Sequence, residues 1–332
     1  MYGFFQENEN GSPGNGCTVL LGLLGGCGSN NQASSGQKTV GIVQLVEHDA
    51  LDAANKGFRD ALKERGYEEG KNLKIDNQNA QADQSNLQNI GQRFVSNHVD
   101  LIYAIATPAA QTVANLTKDI PIVGSAITDY VGAKLVKSND APGGNVTGTS
   151  DMNPIKDQVD LLIKLCPNAK TIGCVYTSSE VNSEIQFKAM KEYAESKGLK
   201  VEAATISNVN DIQQAAQSLV GKVDAFYLPT DNVIASSMPT LISVTEAAKK
   251  PVICGESNMV KAGGLATYGV DYYELGRQSG FMAADILDGK SKPADMKIEF
   301  AKVLKAVVNK TNADKLGITI PADVLKDAEV LN

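Results

Sequence analysis

The side chains able to do chemistry fall into short polar clusters, each directly after an apolar run. They are Glu47-His48-Asp49, Thr107, Ser125 to Asp129, Thr177 to Asn182, Pro229 to Asn232 and Glu256-Ser257-Asn258. Hydroxyls, amides and a few carboxylates in this arrangement suit gripping a small charged molecule. They do not assemble a nucleophile with its base. There is no H-E-x-x-H and no G-x-S-x-G elbow. Only His48 and His98 are available, which argues against a histidine-built metal centre. No G-x-G-x-x-G follows the first apolar run, so a dinucleotide fingerprint is missing. In GGNVTGTS (143–150) Thr149 stands where a phosphate loop needs lysine, and the stretch reads as a crossover turn. No enzyme activity, cofactor or metal is expected.

Each cluster also has a plainer reading. His48 reads equally as a cleft residue or a surface turn, and His98 as a partner for a helix C-terminus. Asp231 is as well placed to cap a helix from Asn232 as to meet a ligand. Glu256 leans toward pairing with a ligand ammonium group. Thr107, Thr128 and Ser178 can cap helices too, and a hydroxyl beside free helix N–H groups is also a carboxylate site. In YTSSEVNSE (176–184), Ser179, Ser178, Glu180 and Asn182 crowd a strand-to-helix turn. The candidate binding set is therefore His48, Thr107, Thr128, Asp129, Ser178, Ser179, Glu180, Asn182, Asp231, Asn232 and Glu256. Tyr272 and Tyr273 open a long helix and are expected to pack at a hinge.

These residues must be positioned by the elements before them. TVGIVQLV (39–46) is an almost wholly apolar run of the kind buried in parallel sheets. In residues 50–67, Leu51, Ala54, Phe58, Ala61 and Leu62 share one helical face. Strands at 72–80, 99–106 and 120–127 alternate with helices at 83–97 and 108–118. A second series follows, with strands at 171–176, 200–206, 223–229, 251–255 and 264–271. Its helices are at 154–165, 182–197, 210–220, 232–249 and 273–289. The tail has strands at 297–300 and 304–309 and a short helix after Pro321. Alternating strands and helices predict an α/β protein of two doubly wound parallel-sheet lobes joined by hinge crossovers. Lobe 1 is expected at 38–127 plus about 270–292, and lobe 2 at 128–269 plus about 293–332. Hinges are expected near 126–128, 266–270 and 290–297. Ligands of such sheets sit at the strands' carboxyl ends, which is where the polar clusters lie.

The chain has 332 residues, enough for about two domains. Its net charge of −7 argues against a nucleic-acid binder, and the absence of Trp with few other aromatics argues against an aromatic-rich binding surface. Cys166, Cys174 and Cys254 read as small buried residues. Residues 18–24 are a short apolar run, and Leu24-Gly25-Gly26-Cys27 has the form of a lipobox, with Cys27 as the acylation site. Gly28 to Gln37 is polar and of low complexity, as a tether would be. Residues 1–16 contain no Lys or Arg, unlike a basic signal start. A disordered extension with a chance cysteine is the alternative.

VGIVQLVEHDALDAANKGFRDAL, IATPAAQ, PGGNVTGTSDM, YLPTDN and YGVDYYELGRQSG resemble the solute-binding lipoproteins of ABC importers. The resemblance is to the tryptophan and aromatic amino-acid branch and spans 39 to about 330. It implies a periplasmic-binding-protein fold of type I and an amino acid held in the interlobe cleft. It also implies permease and ATPase partners, attachment outside the cytoplasm and a monomer. Thr107 and Thr128 would then hold the ligand carboxylate, and Glu256 its ammonium group. A sensor or enzyme of similar fold with another small-molecule substrate is the rival reading.

Overall fold

The computed structural model describes residues 36–332, which form one compact unit. The lipobox, Cys27 and most of the tether lie outside the described residues. The strands in chain order are β1 (Lys38–Gln44), β2 (Leu73–Asn79), β3 (Leu101–Ile105), β4 (Ile122–Ile127), β5 (Val146–Ser150), β6 (Thr171–Thr177) and β7 (Lys200–Ile206). They continue as β8 (Ala225–Leu228), β9 (Val252–Cys254), β10 (Ala266–Val270), β11 (Glu299–Phe300), β12 (Leu304–Asn309) and β13 (Ala328–Leu331). The helices are α1 (Asp49–Glu64), α2 (Gln84–Ser96), α3 (Thr107–Leu116), α4 (Ile155–Leu165), α5 (Val181–Ser196) and α6 (Ile212–Val220). After them come α7 (Asn232–Ser236), α8 (Met238–Ala247), α9 (Ser257–Lys261), α10 (Tyr272–Leu287), α11 (Lys310–Leu316) and α12 (Ala322–Leu325).

Two sheets result. The first runs β11-β5-β4-β3-β1-β2, parallel throughout. The second runs β13-β12-β10-β9-β8-β6-β7, parallel except where β10 meets β12. β3 and β4 are buried along their whole length, as strands covered on both faces must be. Each lobe has its own core. Phe58 stacks on Tyr103 in the first, and Phe226, Met238 and Leu241 are buried in the second.

The lobe boundaries differ from the expected ones. VTGTS (146–150) is a strand, not a turn, and it belongs to the first sheet together with β11. So residues 128–150 and 293–300, assigned by sequence to lobe 2, pack with lobe 1. Thr147 Oγ1 donates to Met296 O at 2.9 Å, which ties both segments together. Gly148 explains the disguise. Its φ is +145°, and a Cβ there would lie 2.1 Å from Gly124 O, so the strand needs glycine at a point of close backbone approach.

The chain crosses between lobes at 151–154, at 271 and at 301–303, as the strand membership requires. The expected hinges at 126–128 and 290–297 instead lie within lobe 1, and 266–270 is β10 itself, which ends at the second crossing. The helix expected over 232–249 breaks into α7 and α8 at Ser237, where Pro239 enters the first turn of α8. Among the described helices none is long and apolar enough to cross a membrane.

Candidate functional site

The carboxyl ends of the two sheets face each other across a cleft. Its inner cavity is lined from lobe 1 by His48, Ala50, Leu51, Ala126 and Thr128, and from the crossings by Asp151 and Tyr272. Lobe 2 supplies Asn182, Thr230, Asp231, Asn232, Ala235 and Glu256. The space between them totals about 290 Å³, most of it too narrow for a water-sized sphere. The lobes are thus in close contact. His48 Nε2 lies 3.3 Å from Asn232 Oδ1 across the cleft. Asn232 Nδ2 donates to Glu180, so its Oδ1 faces His48, and the histidine must donate from Nε2. Burial lowers the His48 pKa.

Among the described residues, three carboxylates line this space and no Lys or Arg does. They differ in how far the protein already uses them. Asp231 is consumed. It caps α7 through Ile234 N at 3.0 Å and also accepts from Thr177 N, Thr177 Oγ1 and Ser183 Oγ. Glu256 caps α9, accepting Asn258 N at 2.6 Å and Met259 N at 2.7 Å. Burial pushes its pKa up to about 7, against the pull of those two N–H groups. Asp151 accepts one bond per oxygen, from Thr128 Oγ1 at 3.2 Å and Tyr272 OH at 2.7 Å. Burial raises its pKa as well. The Tyr272 hydroxyl is pushed well up by burial and then by the charges of Asp151 and Glu256.

Of the residues expected from sequence, His48, Thr128, Asn182, Asp231, Asn232 and Glu256 line the cavity. Asn182 Oδ1 is buried without a hydrogen-bond partner while its Nδ2 donates to Glu180 and Thr230 O. Glu180 sits behind them. Its oxygens accept from Asn182, Asn232 and the N–H of Val233, and burial, then the Asp231 charge, pushes it up to about 8. Thr107 is buried at the start of α3 with an unpartnered Oγ1, but it is not part of the cavity wall. The structure places the other three elsewhere. Asp129 closes a turn through Val131 N and Gly132 N. Ser178 is exposed and donates to Ile206 O, and Ser179 lines a separate surface groove.

Asp151, Tyr272, Thr230, Ala126, Ala50, Leu51 and Ala235 were not in the expected set. Asp151 and Tyr272 follow β5 and β10, so the strand-end rule finds both once β5 is recognised as a strand. Ala126 carries φ +56°, and Ala106, just before α3, carries φ +85°. Both are strained conformations for a residue with a Cβ, and of the two Ala126 lines the cavity. A larger groove runs along α1 and β2 on the outer face of lobe 1. Lys56–Asp60 and Arg59–Glu69 pairs neutralise one another there, and it opens widely to solvent.

Residues 39–331 match the family described as ABC transporter substrate binding protein. A tyrosine-binding protein of Clostridioides difficile is 46% identical over 288 residues, covering 82% of this chain and 84% of that protein. A Streptococcus pneumoniae ABC domain solved with L-Trp is 44% identical, with a TM-score of 0.86 over 89% of this chain and 100% of that one. A ligand-free, open substrate-binding protein with adhesive properties from Clostridium difficile is also 44% identical. Its TM-score is 0.68 over 89% of this chain and 99% of that one. A leucine-binding protein of Thermotoga maritima, 11% identical with a TM-score of 0.59 over 76% of this chain and 83% of that one, shares the fold alone. A two-lobed α/β architecture with an acid-lined interlobe cavity is what such a protein needs, and this chain belongs to the ABC transporter substrate-binding protein family.

Proposed function

We propose that this protein captures an aromatic L-amino acid, tryptophan or tyrosine, between its lobes and hands it to an ABC permease driven by its ATPase. The observation that carries the reading is that Asp151 and Glu256 both line one interlobe cavity, to which no Lys or Arg among the described residues contributes. Buried carboxylates without a counter-charge call for one, and a ligand ammonium supplies it. The ligand carboxylate goes toward the start of α3 in lobe 1, where the Thr107 hydroxyl has no partner and helix N–H groups favour an anion; the Thr128 hydroxyl, whose hydrogen is given to Asp151, does not donate to it. The unpartnered Asn182 Oδ1 accepts a ligand N–H. Ala50, Leu51, Ala126 and Ala235 leave an apolar wall for the ring, with Tyr272 as its aromatic neighbour. The protein works outside the cytoplasm as a monomer, held to the membrane through an acylated Cys27.

Titration calorimetry with L-Trp, L-Tyr, L-Leu and L-Glu tests the ligand. Saturable binding of Trp or Tyr, much tighter than Leu or Glu, is expected. No heat from either aromatic, with binding of another solute, overturns it. Membrane fractionation of wild type and Cys27→Ser tests the anchor, with release into the soluble fraction expected for the variant.

A further inference from the structure

Gln186 is fully buried in α5 of lobe 2 and does not line the cavity. Its amide orientation is dictated by the backbone. Thr230 N donates to Gln186 Oε1 at 3.1 Å, so Nε2 faces away from that N–H. From there Nε2 donates to Thr230 Oγ1 and, across the cleft, to Thr128 Oγ1 of lobe 1 at 3.1 Å. The Thr128 hydroxyl, having accepted, directs its own hydrogen to Asp151 Oδ1. Tyr272 OH donates to the other Asp151 oxygen. One chain of bonds therefore runs from β8 of lobe 2 through α5 to lobe 1. It ends on the residues at the first and second crossings, Asp151 and Tyr272. The surroundings are tight. A Cβ on Gly132 of lobe 1 would lie 2.8 Å from Ile185 Cδ1 of α5, so the lobes meet closely beside this bond.

We infer that Gln186 is a positioning residue which, by donating to Thr128 only when the lobes are together, aims the Thr128 hydroxyl at Asp151 and locks the closed form around the ligand. This rests on the capture reading above. Gln186 touches no ligand. It acts by holding Asp151 in place and by adding a bond that the open form lacks, so its effect falls on release.

Stopped-flow binding of L-Trp or L-Tyr to wild type, Gln186→Leu, Thr128→Val and the double variant tests this. Interlobe distances by single-molecule fluorescence complete the set. Thr128→Val keeps the volume and leaves the Gln186–Thr230 bonds intact, so it stands if Gln186→Leu does not fold. Each single variant is expected to speed dissociation at least tenfold with association changed less than threefold. The double variant should be no worse than the worse single, as for residues acting in one chain. Each should also lower the closed fraction in the absence of ligand. Unchanged dissociation and closed fraction in Thr128→Val, or additive losses in the double variant, overturn the inference. If wild type binds neither amino acid, the capture reading fails, while the ligand-free distances still decide the role of Gln186.

Discussion

Asp151 and Glu256 line the same cavity under different restraint. Glu256 is fixed by two short backbone N–H bonds as a helix cap, whereas Asp151 is held by two hydroxyls at a crossing. Asp151→Asn keeps the shape and removes the charge, and it should weaken binding of the aromatic ligand at least tenfold, about 1.4 kcal/mol, by calorimetry. Glu256→Ala should also weaken it tenfold or more, with an added stability loss of about 1 kcal/mol from the missing cap. The raised pKa of Glu256 gives two opposite pH trends. An ammonium ligand favours the ionised acid, so affinity should fall as pH drops below about 7. For the free protein the sign reverses. Folded Glu256 holds its proton to about 7 and the unfolded group only to about 4.5, so the native state binds more protons between them. Its contribution is fully present below the unfolded value and is lost as pH rises through 7. Thermal unfolding of free protein should show this trend flattened in Glu256→Gln. An affinity that stayed constant from pH 5 to 8 would remove Glu256 from the ammonium site. Glu256 was legible in the sequence because it follows an apolar run and starts a helix. Asp151 was not, because the strand before it is written in Thr and Gly.

The elements that hold these residues depend on a few close approaches. α1, which carries His48 at its N-terminus, packs against α10, which carries Tyr272 at its start. The two helices meet so closely that a Cβ on Gly57 would lie 2.1 Å from Tyr273 O, and one on Gly276 would lie 2.0 Å from Ala54 O. Backbone cannot yield as a side-chain tip can. Gly276→Ala should force the helices apart and cost about 1–3 kcal/mol in denaturant unfolding. It should also weaken ligand binding, since Tyr272 moves with α10. Unchanged stability would show that the contact is looser than described. This seam was not visible in the sequence, although the buried faces of both helices were. Runs such as TVGIVQLV and LIYAI betray themselves because parallel strands covered on both faces are apolar end to end. VTGTS hides because its buried hydroxyls pair internally, Thr149 with Ser125 and Ser279, so its polarity imitates a loop. The short α9, α11 and β13 went unread for a related reason. Each is only a few residues long and packs on neighbours, with too little periodicity to declare itself.

Taken whole, the molecule is two lobes joined by three short crossings, and its lobe arrangement follows the L-Trp complex more closely than the open relative, although both relatives are equally distant in sequence. Direct contact between the lobes across the cleft makes the conformation described a closed one. The His48–Asn232 and Gln186–Thr128 bonds and the Gly132–Ile185 approach are the contacts that closure makes. Two direct hydrogen bonds contribute only about 1 kcal/mol each. Against them stands the cost of burying the Asp151 and Glu256 charges in one cavity. On the proposed reading, the free protein lies toward open and a ligand ammonium reverses this by neutralising the acids in the shut cavity. A ligand shifts such an equilibrium only by its differential affinity for the two forms. Small-angle scattering should accordingly show a larger radius of gyration for free protein than for protein saturated with the aromatic amino acid. An amine-blocked analogue such as N-acetyl-tryptophan, with the ring but no positive charge, should leave the open profile in place. Equal compaction by the analogue would mean that ring burial alone closes the lobes, and that the acids serve selectivity instead of closure.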